Sequence, residues 1–285
     1  MTQILSGTVV GQKIASQIRE EIERLSHRWS SHPGLAVILV GDDPASRIYV
    51  TRKEKACREV GILSIEKYFP SNCTEKELVC CIEELNKREE VNGILLQLPL
   101  PPHLDANRII EHISPEKDVD CFHPENIGRL FLGKPRFQPC TPAGILKLLE
   151  YYGISVEGKD VVIVGRSNIV GKPLALMMIS KNATVTVCHT KSRDLKEKTS
   201  RADILISAAG RAGIIKEDMV KEGAVVVDVG ITRTEDGKLT GDVDFERVKE
   251  KASAITPVPG GVGPMTIAML LSNTLDAFIL QRSQR

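Results

Sequence analysis

Apolar positions along this chain alternate between two periods. Ile14, Ile18, Ile22 and Leu25 recur at spacings of four, four and three, which predicts an amphipathic helix. Leu35-Ala-Val-Ile-Leu-Val40 is then a short unbroken apolar run closed by Gly41-Asp-Asp-Pro44, which predicts a buried strand. The pattern repeats with a helix over 44–60, a strand at 62–68, a helix carrying Leu78, Ile82 and Leu85, and a strand in Gly93-Ile-Leu-Leu-Gln-Leu98. Unbroken apolar strands between helices imply a parallel sheet covered on both faces.

Between 113 and 140 the rhythm breaks. Pro115, Pro124, Pro135 and Pro139, with Gly128 and Gly133, predict an irregular connector. Beyond it a helix at 142–152 leads into the strand Asp160-Val-Val-Ile-Val-Gly165, and further strands are expected at 183–188, 203–208, 224–229 and 253–256. A last helix covers 262–281. The fold class is therefore α/β in two domains: an N-terminal α/β/α domain over 1–140 and a doubly wound, Rossmann-type domain over 141–261. The C-terminal segment 262–285 is expected to return to the first domain.

Composition narrows the function classes. With 285 residues, 42% hydrophobic and 26% charged, the chain has the make-up of a globular protein with room for two domains. A net charge of +1 and only 4% aromatic residues argue against nucleic acid or an anionic membrane as a partner. No apolar run is expected to span a membrane, and no secretion signal is visible in Met-Thr-Gln-Ile-Leu-Ser-Gly. The seven cysteines are an odd set without C-x-x-C or Cys/His metal spacing, which points to reduced thiols in a cytoplasm and no metal site. Cys57, Cys73, Cys80, Cys81 and Cys188 are read as small buried hydrophobes.

One stretch stands apart. Thr256-Pro-Val-Pro-Gly-Gly-Val-Gly-Pro-Met-Thr-Ile-Ala268 packs three prolines and three glycines between a strand and a helix. Proline fixes φ and glycine lets backbone approach a ligand, so such a loop is suited to presenting main chain. A plain connection of this kind needs two to six residues and one Gly.

A second loop, Val164-Gly-Arg-Ser-Asn-Ile-Val-Gly-Lys-Pro173, sits between a strand and a helix, the setting of a phosphate cradle. It is not a P-loop, because five residues separate Gly165 from Gly171 and Pro173 stands where the magnesium-binding hydroxyl belongs. Nor is it a complete dinucleotide fingerprint, since Ser167 replaces the second Gly; the context still favours a dinucleotide. After the next strand comes Cys188-His-Thr-Lys-Ser-Arg193, with no acid to hold ribose hydroxyls. With Arg166 nearby, that hydroxyl-rich and cationic cluster suits a 2′-phosphate, which makes NADP the expected cofactor.

Candidate chemistry falls in the first domain. Ser46, Tyr49 and Lys53 share one helix face at spacings of three and four. An ordinary lysine is charged at neutral pH, so base work by Lys53 needs burial or cationic neighbours such as Arg52 and Lys55. Gln97 is the one polar residue inside Ile94-Leu-Leu-Gln-Leu-Pro-Leu-Pro101, at the end of a buried strand where ligands gather. A buried amide must bond something. Asp118 and Asp120 follow in Glu116-Lys-Asp-Val-Asp-Cys-Phe-His-Pro124, where an acid binds an N–H edge or caps a turn.

These motifs together resemble the bifunctional methylenetetrahydrofolate dehydrogenase/cyclohydrolase family, nearly end to end. The resemblance rests on Ser46-x-x-Tyr49-x-x-x-Lys53, Gln97-Leu-Pro-Leu-Pro, Lys117-Asp-Val-Asp120, Pro139-Cys-Thr-Pro142, the loop from Gly165 to Pro173, Asp228-Val-Gly-Ile231, Gly241-Asp-Val-Asp244 and Pro259-Gly-Gly-Val-Gly-Pro-Met-Thr-Ile267. It implies oxidation of 5,10-methylenetetrahydrofolate by NADP⁺ and hydrolysis of the methenyl product to 10-formyltetrahydrofolate. Lys53 would be the general base, held by Gln97. Tyr49 would stack on the folate and Asp120 would anchor its pterin. Thr141 and the backbone of Pro259, Gly260 and Gly261 would border the substrate. Gly165, Arg166, Ser167, Gly171, His189 and Thr190 would hold NADP, with Ile231 near the nicotinamide and Cys140 packing alongside. A cytoplasmic homodimer serving one-carbon and purine metabolism is implied too.

Two departures stand out. Cys121 replaces the Gly usual after Asp-Val-Asp, so a need for φ > 0 there would strain the loop and shift Asp120. Ala212 replaces a common Pro and is expected to matter less. Among rivals, a dehydrogenase-only homologue would have lost Lys53 or Gln97, and a non-catalytic dinucleotide-binding module would have lost Tyr49, Lys53 or Gln97; all three are present.

Overall fold

The computed structural model describes residues 1–234 and 237–283. The chain opens with β1 (Gln3–Ile4) and α1 (Gly7–Trp29), then runs through β2 (Gly34–Val40), α2 (Pro44–Val60), β3 (Leu63–Phe69), α3 (Glu75–Lys87), β4 (Gly93–Leu96) and the short α4 (Ala106–Ile110). The last three strands named form a parallel sheet in the order β3-β2-β4. All seven residues of β2 are buried, as the central strand of a sheet covered on both faces must be. Its core joins Ile38, Leu78, Ile82, Ile94 and Ile109.

Local chemistry sets the helix ends. Asp43 caps α2 by accepting the Ser46 N–H at 2.7 Å, Pro44 occupies the first turn, and Gly61 ends the helix at φ 85°. Thr74 and Glu77 exchange side-chain and backbone bonds in a capping box that starts α3. The expected irregular connector contains a helix, α5 (Pro124–Phe131), started by Pro124 and capped by the His123 ring, which accepts the Glu125 N–H at 3.1 Å. Proline is well placed in the first turn of a helix, so the residue that suggested a break instead begins an element.

The remaining elements are α6 (Cys140–Tyr151), β5 (Asp160–Val164), α7 (Gly171–Ile179), β6 (Thr184–Cys188), α8 (Leu195–Thr199), β7 (Ile204–Ser207), β8 (Val225–Asp228), β9 (Thr232–Arg233), β10 (Leu239–Thr240), α9 (Phe245–Lys251), β11 (Ala254–Ile255) and α10 (Val262–Ser283). Six parallel strands lie in the order β1-β11-β8-β7-β5-β6, while β9 and β10 pair antiparallel. The strand order reverses between β5 and β7, the switch point where doubly wound sheets take their ligands. The two-domain α/β class expected from the sequence is the observed one.

Contacts divide the chain into one unit of Met1–Gln12 with Pro139–Thr266, and another of Lys13–Gln138 with the segment from Ile267 onward. The first twelve residues thus differ from the expected 1–140 boundary. β1 is the reason, because Ile4 lies in register beside Ile255 at the edge of the larger sheet. In the other unit Phe278 of α10 is fully buried and meets Trp29 edge to face at 5.3 Å. Residues 284 and 285 of the expected C-terminal segment lie outside the described residues.

The sequence expectation on apolar runs needs one correction. The 22-residue α10 is long and apolar enough to cross a membrane by length and composition, and 61% of its most apolar window is buried inside the protein. It has the character of a core helix. Among the described residues all seven cysteines are free thiols, but Cys80 is exposed and Cys81 half-buried, not core residues as expected. Cys80 lies off the buried stripe of α3, which is Leu78, Ile82 and Leu85, while Cys81 flanks that stripe and packs against the core only in part.

Candidate functional site

Lys53 lies on the core-facing stripe of α2, which is buried at Ser46, Val50, Lys53, Cys57 and Val60. Its side chain is nearly enclosed, with the residue only 8% exposed. The ammonium nitrogen Nζ donates to Gln97 Oε1 at 2.9 Å, a contact spanning 44 positions of sequence. Gln97 is itself fixed from two sides. Its backbone N–H donates to Ile38 O at 2.9 Å, and its Nε2 donates to Leu98 O at 2.7 Å, which turns Oε1 toward the lysine. A neutral amide oxygen accepts from either protonation state of an amine, so this partner orients Lys53 without fixing its charge. Arg52 and Lys55 are exposed, away from the stripe that holds Lys53, so their suggested role as cationic neighbours is not supported. Tyr49 is half-buried one turn before Lys53.

The Asp120 loop is held by buried polar groups. Ile94 donates to Lys117 O at 2.7 Å and bridges Asp118 in parallel, which lays the loop along β4. Lys117 Nζ donates to the carbonyls of Leu85, Asn86 and Arg88, closing the C-terminus of α3. Asp118 accepts from the N–H groups of Phe122 and His123 at 3.1 and 2.8 Å and from Asn126 Nδ2 at 2.8 Å. Burial pushes its carboxyl above the usual range against those three donors. From α10, Asn273 Nδ2 donates to Val119 O and Gln138 O, both at 2.8 Å.

Cys121 does require the left-handed backbone, at φ 60°. The strain that the missing glycine implied is present, of order 1 kcal/mol for a side chain in that region. The thiol is enclosed and donates to Phe137 O at 3.2 Å, which ties the loop to the segment before α6. Burial, then the carboxylates of Asp118 and Asp120, push the thiol far up, so it stays protonated and able to donate.

In the other unit the phosphate-cradle loop leaves β5 at Gly165, φ 131°. A Cβ on Gly165 would stand 2.3 Å from Ala208 O, and one on Gly171 would stand 2.2 Å from Gly165 O. Neither position tolerates a side chain, so the loop folds tightly over the switch point between β5 and β7. Ser167 Oγ accepts from the N–H groups of Val170 and Gly171 at 3.2 and 3.4 Å, so the residue in place of the second glycine closes the turn that begins α7. Beyond β6, the His189 N–H donates to Ser192 Oγ at 2.9 Å and His189 Nδ1 accepts from Lys191 N at 3.1 Å. Arg166, Thr190, Lys191 and Arg193 are exposed, and among the described residues none of the three cations forms an ion pair. A close backbone cradle beside unpaired cations fits a dinucleotide that carries an extra phosphate.

The glycine-rich segment follows β11. Thr8 donates its N–H to Gly260 O at 3.1 Å, and a Cβ on Gly7 would lie 1.8 Å from Gly261 O. Gly260 has φ 104°. Thr141 Oγ1 and Thr266 Oγ1 share a hydrogen bond of 2.9 Å, which joins the first turns of α6 and α10. Ile231 is 43% exposed, and its Cδ1 lies 3.8 Å from where a Cβ on Gly263 would stand. Cys140 is buried.

Sequence reasoning did not assign the support of the glycine loop by Gly7 and Thr8, the clasp from Asn273, or the roles of Asp228 and Asp242. Asp228 and Asp242 were visible as Asp-Val-Gly and Gly-Asp-Val motifs whose purpose only contacts across the fold reveal.

The chain matches known proteins over nearly its whole length. The model of the tetrahydrofolate dehydrogenase/cyclohydrolase catalytic domain matches residues 5–120, and that of the NAD(P)-binding domain matches residues 139–282. The chain is similar to the bifunctional protein FolD of Aquifex aeolicus, 59% identical over 279 residues that cover 98% of this chain and 96% of that protein. Its fold is similar to the crystal structure of the bifunctional FolD enzyme of Campylobacter jejuni, with a TM-score of 0.96, 51% identity, and 99% and 100% of the two chains covered. The Trypanosoma brucei enzyme, solved with NADP cofactor and inhibitor, matches with a TM-score of 0.95 and 38% identity over 100% of this chain and 99% of that one.

Proposed function

The chain belongs to the tetrahydrofolate dehydrogenase/cyclohydrolase family, and on that footing we propose how its own residues divide the two reactions. The enzyme oxidises 5,10-methylenetetrahydrofolate to the 5,10-methenyl cation and hydrolyses that cation to 10-formyltetrahydrofolate. NADP⁺, when bound, accepts the hydride.

For hydrolysis, Lys53 acts as the base. Its amine takes a proton from the water that attacks the methenyl carbon; the bond from that carbon to N5 then breaks as N5 gains a proton and the new hydroxyl loses one, which leaves the formyl group on N10. The observation that carries this role is the partly buried hydrogen bond from Lys53 Nζ to Gln97 Oε1, which positions the amine through a neutral partner, with no ion pair to Lys53 among the described residues. Tyr49 orients the folate ring and Asp120 anchors the pterin. Thr141 and the backbone of Pro259, Gly260 and Gly261 border the substrate. Gly165, Ser167 and Gly171 shape the pyrophosphate cradle, while Arg166, His189 and Thr190 receive the 2′-phosphate end and Ile231 bounds the nicotinamide. Family membership supports a cytoplasmic homodimer whose product feeds purine synthesis, and the near-neutral net charge supports small-molecule substrates.

The test follows purified protein with 5,10-methylenetetrahydrofolate and NADP⁺, reading NADPH, the methenyl compound and the 10-formyl product separately. Formation of NADPH with passage to the 10-formyl compound is expected. Absence of turnover with both NADP⁺ and NAD⁺ would overturn the reading.

A further inference from the structure

Two buried carboxylates at the carboxyl ends of the large sheet play no part in the chemistry described above. Asp242 Oδ2 accepts from Ser207 Oγ at 3.0 Å and from the N–H groups of Ala209 and Gly210 at 2.7 and 3.2 Å, while Oδ1 accepts from Arg211 N at 2.8 Å. Asp228 Oδ1 accepts from Gly230 N and Asp242 N, both at 2.9 Å, and Oδ2 accepts from Val243 N at 2.8 Å. Asp228 therefore binds the backbone at Asp242 and Val243, while Asp242 binds the loop after β7.

The fit is reciprocal at the glycines. A Cβ on Gly230 would stand 2.2 Å from Asp242 Oδ1, and one on Gly241 would stand 2.0 Å from Asp228 Oδ2. Asp228-Val-Gly and Gly241-Asp thus interlock, each glycine leaving room for the other motif's carboxylate. The Asp228 N–H also donates to Thr256 Oγ1 at 2.7 Å, at the root of the glycine-rich segment.

What these acids hold is the cofactor side of the sheet. Asp242 gathers the loop after β7, and Ala208 O of that loop is the atom against which Gly165 of the phosphate cradle rests. Asp228 fixes Gly230, which is followed by Ile231. Ligands of such sheets bind outside these strand ends, on either side of the switch point.

We propose that Asp228 and Asp242 are positioning residues for the dehydrogenase step, clamping the loops at 208–211 and 230–231 so that both ends of NADP meet preset backbone. The inference rests on the cofactor site assigned under the proposed function. Hydrolysis of preformed 5,10-methenyltetrahydrofolate needs no nicotinamide, and Lys53 and Gln97 belong to the other unit. The two activities should therefore separate.

The experiment compares wild type with Asp242→Asn and Ser207→Ala, measuring NADP⁺ binding by calorimetry, KM for NADP⁺, and hydrolysis of the preformed methenyl substrate. Displacing a loop by about 1 Å can cost up to about a hundredfold, so Asp242→Asn should weaken NADP⁺ binding and raise its KM at least about tenfold. Hydrolysis should stay within about twofold, because the groups that the Asp242 side chain binds, at 207–211, are not among those assigned to Lys53, Gln97 or the folate. Ser207→Ala removes one donor and should shift NADP⁺ affinity in the same direction by less; it decides the matter if Asp242→Asn does not fold. Equal loss of both activities, or wild-type NADP⁺ affinity in the variants, would overturn the proposal. If wild type bound NADP⁺ yet oxidised no methylenetetrahydrofolate, the functional reading would fail, while the binding titrations would still decide the role of these acids.

Discussion

Lys53 Nζ donates to Gln97 Oε1 at 2.9 Å, and the amide that receives it is locked by its own bond to Leu98 O. Replacing Lys53 by Met keeps the apolar stem and removes the amine. Ring opening should fall by about a hundredfold to ten-thousandfold, the usual contribution of a positioned base. NADPH should still form while the methenyl compound accumulates and is read by its own absorbance. Undiminished 10-formyl product would remove Lys53 from the hydrolytic step.

Gln97→Glu asks whether the neutrality of the partner matters. A carboxylate at that site would favour the ammonium and leave less free amine for the water. Hydrolysis should drop at neutral pH and recover in part as pH rises, with dehydrogenase rates changing less. A pH profile of hydrolysis identical to wild type would show that the amide serves only as a spacer.

Cys121 gives a stability test with an unusual sign. Cys121→Ala keeps the side chain in the left-handed region and loses the sulfur contact to Phe137 O, whereas Cys121→Gly also relieves the strain. At most positions Ala is more stable than Gly. Here Gly should exceed Ala by about 1 kcal/mol in urea unfolding, because the left-handed backbone disfavours any Cβ by roughly that amount. The ordinary order would mean that the loop relaxes around the cysteine at little cost.

Asp228 sets a pH dependence. Burial carries its carboxyl up to about 6, with the Asp242 carboxylate adding to the rise and three backbone N–H groups opposing it. A raised carboxyl favours the folded state below its unfolded value and loses that contribution as pH climbs through the folded value. Wild type should therefore lose stability relative to Asp228→Asn between about pH 4 and 6, by up to about 3 kcal/mol. Denaturant unfolding across that window reads it, and parallel curves for the two proteins would contradict it.

Arg166 is exposed, without an ion pair among the described residues, and adjoins the backbone cradle at Gly165. A charged hydrogen bond to phosphate contributes about 1.5–3 kcal/mol, so Arg166→Ala should raise KM for NADP⁺ by roughly ten- to a hundredfold. KM for NAD⁺ should move little. Equal losses for both dinucleotides would place Arg166 at the pyrophosphate.

Much of this architecture is written in short-range pattern. The buried run Leu35–Val40, the stripe of α2 and the glycines at 165 and 171 each depend on neighbours a few residues away, so period and turn chemistry suffice to find them. The same pattern put Ser46, Tyr49 and Lys53 on one helix face and Gln97 at a strand end; that Lys53 is turned inward is seen only in the fold.

Other features arise only when distant segments close on each other. The left-handed turn at Cys121 is imposed by a loop held locally by Asp118 and, from further away, by Asn273 and Phe137, which no local window contains. β1 joins the larger sheet because Ile4 finds Ile255 at its edge, and Pro124 starts a helix because His123 is free to cap it. The interlock of Asp228 with Gly241 and of Asp242 with Gly230 is a matter of which backbone leaves room for which carboxylate. Local sequence determined the elements and most of the reacting groups; tertiary packing decided their strain, their charge and the loops that hold them, because burial and long-range hydrogen bonding are properties of the closed fold.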